Sequence, residues 1–419
     1  MRLEVYVNPF LMTRCLLFNL LIIVSLSSQA QLSPTITSWV INTDNSTGYF
    51  GELSNVQSVD YTSDYAYISC TCIPGYDIGP WAGNPNSAAN QDFCFRIRFN
   101  PQENTGTLIN TGLGHIGVWR NGVSIFNAKD AFSYNNQGVW FQDAYVFEGS
   151  SFDACLGHPA PNGEYHHHVN PTCLYNDSDE ANHSPIVGYA FDGYPVYGAY
   201  GYSSPLDPNS TVARMLSGYQ LRDIPSRQTL PDGTSLTPAQ YGPSINNQYP
   251  LGSFIEDYEY VEGSGDLDEH NGRFCITPDY PEGTFAYFVT IDDYLDPVYP
   301  YVLGPTYYGT IASGNTGPQS GHNNIPNNAT NYNPESGIDL SEYSELQIFP
   351  NPVSSVLYIT SVKPIGDVMA YNLLGELVHC ESVSTSHATL DVSKWEKGLY
   401  VIDIITLEGL SSMNKIVIE

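Results

Sequence analysis

Phe93-Cys94-Phe95-Arg96-Ile97-Arg98-Phe99 decides the fold class, because apolar side chains recur at every second residue and polar ones fill most of the gaps. Side chains of an extended chain leave on alternate sides, so this is the pattern of a half-buried β-strand; a helix repeats its apolar face every 3.6 residues. Asp64-Tyr65-Ala66-Tyr67-Ile68-Ser69-Cys70 and Phe285-Ala286-Tyr287-Phe288-Val289-Thr290 read the same way. With 36 Gly and 29 Pro punctuating these runs, the spacing predicts short strands and many turns. The expected fold is all-β, with a sandwich-like main domain over residues 31–311. Helix is expected only in brief pieces, around Ala213-Arg214-Met215-Leu216 and after Thr237-Pro238.

Outward from this region the composition changes. Arg14, the apolar run Leu16-Leu17-Phe18-Asn19-Leu20-Leu21-Ile22-Ile23-Val24 and the small residues of Ser28-Gln29-Ala30 read as a secretory signal over residues 1–30. That run falls short of the roughly 20 apolar residues of a bilayer crossing, and no later stretch approaches it. Residues 312–342 are rich in Gly, Asn and Pro and nearly devoid of large apolar side chains, which predicts a flexible linker. The net charge of -30 would repel nucleic acid and anionic lipid, so neither is an expected partner.

Candidate chemistry concentrates at Tyr165-His166-His167-His168, in a chain with only ten histidines. On a strand His166 and His168 share a face while His167 takes the other, making an H-x-H chelating pair. His158, returned by the turn through Pro159-Ala160-Pro161-Asn162-Gly163, completes a three-nitrogen set suited to copper or zinc. His183, Asp192 and His270 are further candidates, as ligands or as groups orienting them; Asp192 also reads as the start of a turn in Asp-Gly-Tyr-Pro. No residue is assigned a catalytic role. The oxygen-rich stretches Asn176-Asp177-Ser178-Asp179-Glu180 and Asp266-Leu267-Asp268-Glu269 are weak candidates for calcium, since neither has the spacing of an EF-hand loop; solvated acidic loops are the competing reading.

Cys70, Cys72, Cys94, Cys155, Cys173 and Cys275 form an even set, which in an exported protein predicts three disulfides. Cys155 and Cys173 bracket the histidines, so their pairing would fix the loop that presents them. Cys380, left over, is expected to be a buried thiol. The main region also repeats itself: Asp153 to His158 and Pro161 to Val169 recur as Asp268 to Arg273 and Pro281 to Val289, with His166 and His168 replaced by Ala286 and Phe288. Two symmetry-related hairpins are expected, with the chemistry on the first.

Two resemblances follow from longer motifs. Leu346-Gln347-Ile348-Phe349-Pro350-Asn351-Pro352-Val353, Met369-Ala370-Tyr371-Asn372-Leu373-Leu374-Gly375-Glu376-Leu377-Val378, Lys397-Gly398-Leu399-Tyr400-Val401 and Lys415-Ile416-Val417-Ile418 resemble the C-terminal sorting domain of type IX secretion substrates. That resemblance implies a small β-sandwich over residues 343–419, the type IX machinery as partner, and a secreted or cell-surface product. Gly157-His158-Pro159, Gly163-Glu164-Tyr165-His166-His167-His168, the run from His183 to Gly198 and Leu267-Asp268-Glu269-His270-Asn271-Gly272-Arg273-Phe274 resemble the YHYH domain family, with His167 in place of the motif's second tyrosine. This second resemblance implies no activity. Three function classes remain: a secreted metal-binding protein, slightly favoured; a metal-dependent extracellular hydrolase or oxidoreductase; and a glycan-binding or adhesive module using exposed Tyr and Trp such as Trp119 and Trp140.

Overall fold

Along Phe93–Arg98 the buried and half-exposed side chains alternate, with Phe93, Phe95 and Ile97 inside. Sealing Phe95 completely contributes about 1.5–3 kcal/mol. The computed structural model describes residues 32–317, 320–334, 347–361, 364–372, 375–407 and 411–418, so the signal expected at 1–30 lies outside the described residues. The chain is nearly all β, in two compact units divided between Tyr332 and Asn333.

The main unit is built on two sheets that share one apolar core. Its strands are β1 (Val56–Tyr61), β2 (Tyr65–Cys70), β3 (Phe93–Arg98), β4 (His115–Trp119), β5 (Ser124–Phe126), β6 (Gly157–Pro159), β7 (Tyr165–His167), β8 (Ile186–Ala190), β9 (Pro195–Tyr197), β10 (Gly272–Cys275), β11 (Thr284–Phe288) and β12 (Thr330–Tyr332). The smaller sheet runs β12-β1-β2-β3 and the larger β10-β11-β9-β8-β4-β5-β7-β6. Every residue of β4 and β8 is buried, as expected for central strands covered on both faces.

The larger sheet is a duplication about a local twofold axis. In its two central hairpins, His115 pairs Phe126 and Val118 pairs Ser124, while Ile186 pairs Tyr197 and Tyr189 pairs Pro195. Where the copies meet, Arg120 N donates to Val187 O at 2.8 Å and Phe191 N to Ile116 O at 3.2 Å, the same bond made from each side. Both turns need glycine: Gly122 has φ +82°, and a Cβ there would lie 2.4 Å from that of Cys70. The outer hairpins, β6-β7 and β10-β11, lie at opposite edges of the sheet. The repeat is therefore larger than the hairpin visible in sequence, and it includes Gly117-Val118-Trp119-Arg120-Asn121-Gly122 against Gly188-Tyr189-Ala190-Phe191-Asp192-Gly193.

Several expectations need correction. Of the linker expected at 312–342, residues 312–317 and 320–332 are packed, and residues 335–342 lie outside the described residues: Asn315 is fully buried, and its side chain exchanges hydrogen bonds with the backbone of Arg96 at 3.1 and 2.7 Å. Gly321 O accepts from Cys94 N at 2.6 Å, and β12 pairs with β1. The segment covers the sheet's edge strands, a task of hydrogen bonding that needs little apolar area. Of the three disulfides expected, one is present among the described residues, Cys155–Cys173. Cys70, Cys72 and Cys275 are thiols enclosed in the apolar core, Cys94 is half-buried, and Cys380 is half-buried rather than buried. Residues 212–214 are a strand, whereas Pro238–Gln240 is one short 3-10 turn.

Asp192 begins the second central turn. Its carboxylate accepts from Tyr287 Oη at 2.6 Å, Gly309 N at 2.9 Å and Tyr194 N at 3.2 Å. Burial outweighs these bonds and pushes the carboxyl up to about 6. A folded-state pKa above the unfolded one means that the group's contribution to stability is full below about pH 4 and is lost as pH rises through 6. The expected result is a carboxyl carbon resonance for Asp192 with its midpoint near pH 6; a midpoint near 4 would refute the effect.

The C-terminal unit is the small β-sandwich expected. Its strands are β13 (Gln347–Phe349), β14 (Val356–Thr360), β15 (Ile365–Asn372), β16 (Leu377–Ser382), β17 (His387–Asp391), β18 (Gly398–Thr406) and β19 (Ser411–Ile418). Sheets β13-β14-β17 and β16-β15-β18-β19 enclose a core that includes Leu357, Ile359, Val368, Ile402, Ile404 and Ile416.

Candidate metal centre

The hairpin β6-β7 is positioned by Asp153. Its Oδ1 accepts from Cys155 N at 2.9 Å and Gly157 N at 3.2 Å, shaping the turn into β6; Oδ2 takes Gly79 N at 2.8 Å and Trp81 Nε1 at 3.0 Å. Tyr165 Oη reaches the same carboxylate at 2.9 Å, and the disulfide ties the turn to Cys173 beyond the histidines. In the resulting register His166 stands directly opposite His158. His168, two residues on, returns to the face of His166.

Three ring nitrogens meet there. His166 Nε2 lies 3.1 Å from His158 Nε2 and 3.1 Å from His168 Nε2, and all three residues are buried. Each Nδ1 is held from behind, that of His166 by Glu164 O at 3.0 Å, that of His168 by Asn127 O at 2.6 Å and that of His158 by Ser151 Oγ at 2.8 Å. A carbonyl accepts only, so Nδ1 of His166 and of His168 carries the proton and Nε2 is a bare lone pair. Burial, followed by the neighbouring imidazoles, pushes His166 well down, and burial pushes His168 down to about 4. Both rings are neutral at pH 7. Lone pairs aimed at one another repel unless a cation lies between them; donors around a tetrahedral ion at about 2.0–2.1 Å are separated by roughly 3.3 Å, close to the spacing here. This buried triad can hold a metal ion.

Sequence reasoning missed Glu148. It ends α1 (Ala144–Glu148), a short helix whose N-cap Asp143 accepts from Tyr145 N at 2.9 Å. Glu148 Oε2 lies 3.1 Å from His158 Nε2 and 3.6 Å from His168 Nε2, placing a carboxylate oxygen beside the triad. Burial raises its pKa, but hydrogen bonds from His158 and Asp130 outweigh this and hold it ionised; Asp130, buried beside it, is pushed up and takes the shared proton. The signal was Asp143 before Ala-Tyr-Val-Phe-Glu, a cap residue opening a helix. Phe126 stacks on His166 with ring centres 3.8 Å apart, and Phe152 lies edge-on to His158 at 4.8 Å.

The remaining candidates lie elsewhere. His167 faces the opposite side of β7, fully buried, with Tyr165 5.2 Å and Trp119 6.3 Å away. His270 bonds Thr306 at the far edge of the sheet, and His183 packs on Tyr197, Tyr202 and Phe288 of the second copy. Arg273, Ala286 and Phe288 occupy the positions of His158, His166 and His168 in that copy. The carboxylates proposed for calcium accept from local groups, such as Asp268 from Gly272 N and Asp179 from Asn182, and only the histidine triad converges among the described residues. Trp119 and Trp140 are buried, which removes them as adhesive contacts.

The architecture is thus that of an all-β protein of two modules, one bearing a buried histidine triad and the other a small sandwich. Residues 94–299 match the YHYH protein family and residues 347–419 match the secretion system C-terminal sorting domain. The chain carries a YHYH domain joined to a type IX sorting domain, and its place is the cell surface or the extracellular space. No curated protein matches it. Among solved structures, a DUF3244 family protein with an immunoglobulin-like β-sandwich from Bacteroides vulgatus is 11% identical over 18% of this chain and 84% of its own, with a TM-score of 0.16. PorZ, a surface component of the type IX secretion system of Porphyromonas gingivalis, is 12% identical over 86% of this chain and 59% of its own, with a TM-score of 0.18. Scores of that size say nothing of a shared fold.

Proposed function

We propose that this exported protein binds one divalent transition ion, zinc or copper, through Nε2 of His158, His166 and His168, with Glu148 as fourth donor. The observation that carries the reading is the convergence of three Nε2 atoms, with His166 and His168 held by Nδ1–H bonds to backbone carbonyls so that their Nε2 lone pairs face one another. Neutral imidazole with one carboxylate suits zinc and copper, while calcium and magnesium favour all-oxygen shells. Three histidines and a carboxylate under two phenylalanine rings form a closed shell, which favours holding the ion over chemistry at an open position. Export fits the same reading, by the proposed signal at 1–30 and then by the sorting domain, since both deliver the site to an environment where metal must be captured.

Elemental analysis of protein purified without a histidine tag tests this. The expected result is about one equivalent of zinc or copper, removed by chelator and restored by either ion. Protein that takes up neither ion sinks the reading.

A further inference from the structure

Where the two copies of the repeat meet there is a cavity of different chemistry. It has a volume of about 260 Å³ and is lined by Arg120, Tyr175, Asn176, Asn182, His183 and Ser184, among others. Arg120 projects from the turn between β4 and β5, where its backbone is fixed by bonds to Val187 O and from Val40 N, both at 2.8 Å. Its guanidinium has no hydrogen-bond or ion-pair partner among the described residues, and its Nε is enclosed. Arg227 is satisfied by Asp257, Arg222 by backbone carbonyls, Arg96 by Ser313 and Arg214 by Asp293, while Arg273, whose Nε is also unpartnered, bonds Tyr202 O through its Nη2 group. In a chain with 44 acidic and 14 basic residues, a half-buried cation left without a carboxylate is a costly arrangement. Burial alone holds its pKa below the usual arginine value, with no acid opposing it. Asp179 also borders the cavity, but both its oxygens take the Asn182 amide at 3.1 Å.

His183 supplies the complementary group. Its Nδ1 lies 2.8 Å from Ser184 O and so carries the ring proton, while Nε2 is enclosed and unpartnered. Nε2 is therefore an acceptor. The cavity joins a guanidinium, which grips two charged oxygens, to an acceptor that needs a hydroxyl. An oxyanion that keeps one proton meets both demands; sulfate keeps none at neutral pH, and an ionised carboxylate has none to give.

We propose that this cavity binds a phosphate group, free or as a monoester, with Arg120 taking two charged oxygens and His183 Nε2 accepting from the remaining P–OH. The site is separate from the metal centre, since none of Glu148, His158, His166 and His168 lines this cavity.

The test uses the full chain carrying His166→Ala, so that no phosphate is held by a metal at the triad, with calorimetric titration at pH 6. Inorganic phosphate and methyl phosphate should bind at least about tenfold more tightly than sulfate. Arg120→Gln should weaken phosphate about 10- to 100-fold, and His183→Phe should bring phosphate down to the level of sulfate. Binding of methyl phosphate as tight as that of inorganic phosphate supports the site with a monoester as ligand; binding of inorganic phosphate alone supports it with the free ion. Equal binding of phosphate and sulfate, binding of neither, or an Arg120→Gln protein of native near-UV dichroism that binds phosphate as before each overturns the proposal. The phosphate against sulfate comparison can be repeated on the wild-type chain stripped of metal by chelator, so it decides even where a variant fails to fold.

Discussion

On the proposed function, His166→Ala should weaken metal binding by about 100- to 1000-fold, because His166 is the member of the triad whose Nε2 touches both others at 3.1 Å. Structural zinc sites contribute about 10–16 kcal/mol over four ligands, so one ligand carries about 2.5–4 kcal/mol, which sets that factor. Stability follows by mass action: free metal at about 100 times Kd adds about 2.7 kcal/mol to the wild type and almost nothing to the variant. Two controls separate lost coordination from damage to the fold. His270→Ala, at the opposite edge of the sheet, should leave uptake unchanged. Glu148→Gln keeps the three nitrogens and should lower affinity by less than His166→Ala. Competition against a chromophoric chelator measures all three, and retention of metal by a folded His166→Ala protein would remove the centre.

The parts legible in the sequence were those written in local spacing. Alternation in Phe93–Arg98 speaks of one strand and its two faces, and the H-x-H spacing of His166 and His168 needs only the pleat to bring the rings together. His158 could be added because one turn returns it. Glu148 could not, since it reaches the site from a separate helix of five residues, by a packing that no periodicity encodes. Counting cysteines failed for a related reason: an even number carries no distances, and a bridge needs Cα atoms within about 7 Å with suitable directions. The misread of residues 312–317 and 320–332 came from weighing apolar content alone. Asn315 and Asn323 order that segment through amide bonds to Arg96 and Cys94, a contribution that hydropathy does not register.

The duplication supplies the second large effect, because two aspartates at equivalent turns carry unequal loads. Asp153 and Asp268 each accept from two backbone N–H groups of their own turn, Cys155 and Gly157 in one copy and His270 and Gly272 in the other. Only Asp153 also accepts from Gly79 N, Trp81 Nε1 and Tyr165 Oη, all close to 3 Å, and it is buried where Asp268 is half-buried. Removing an acceptor strands its donors, and a stranded buried donor costs about 1–3 kcal/mol. Asp268→Ala should therefore destabilise the main unit by about 1–2 kcal/mol, whereas Asp153→Ala should cost about 3–5 kcal/mol. The two also diverge at the metal. Asp153 anchors the strand opposite His166, so its loss should lower metal affinity as well as the urea midpoint; the loss of Asp268 should lower the midpoint alone. Urea unfolding of the apo proteins, followed by near-UV dichroism and set beside chelator competition, reads both quantities. Equal costs would show that the shared turn is what both aspartates support. Unequal costs with unchanged metal affinity would show that the hairpin holds its histidines without Asp153.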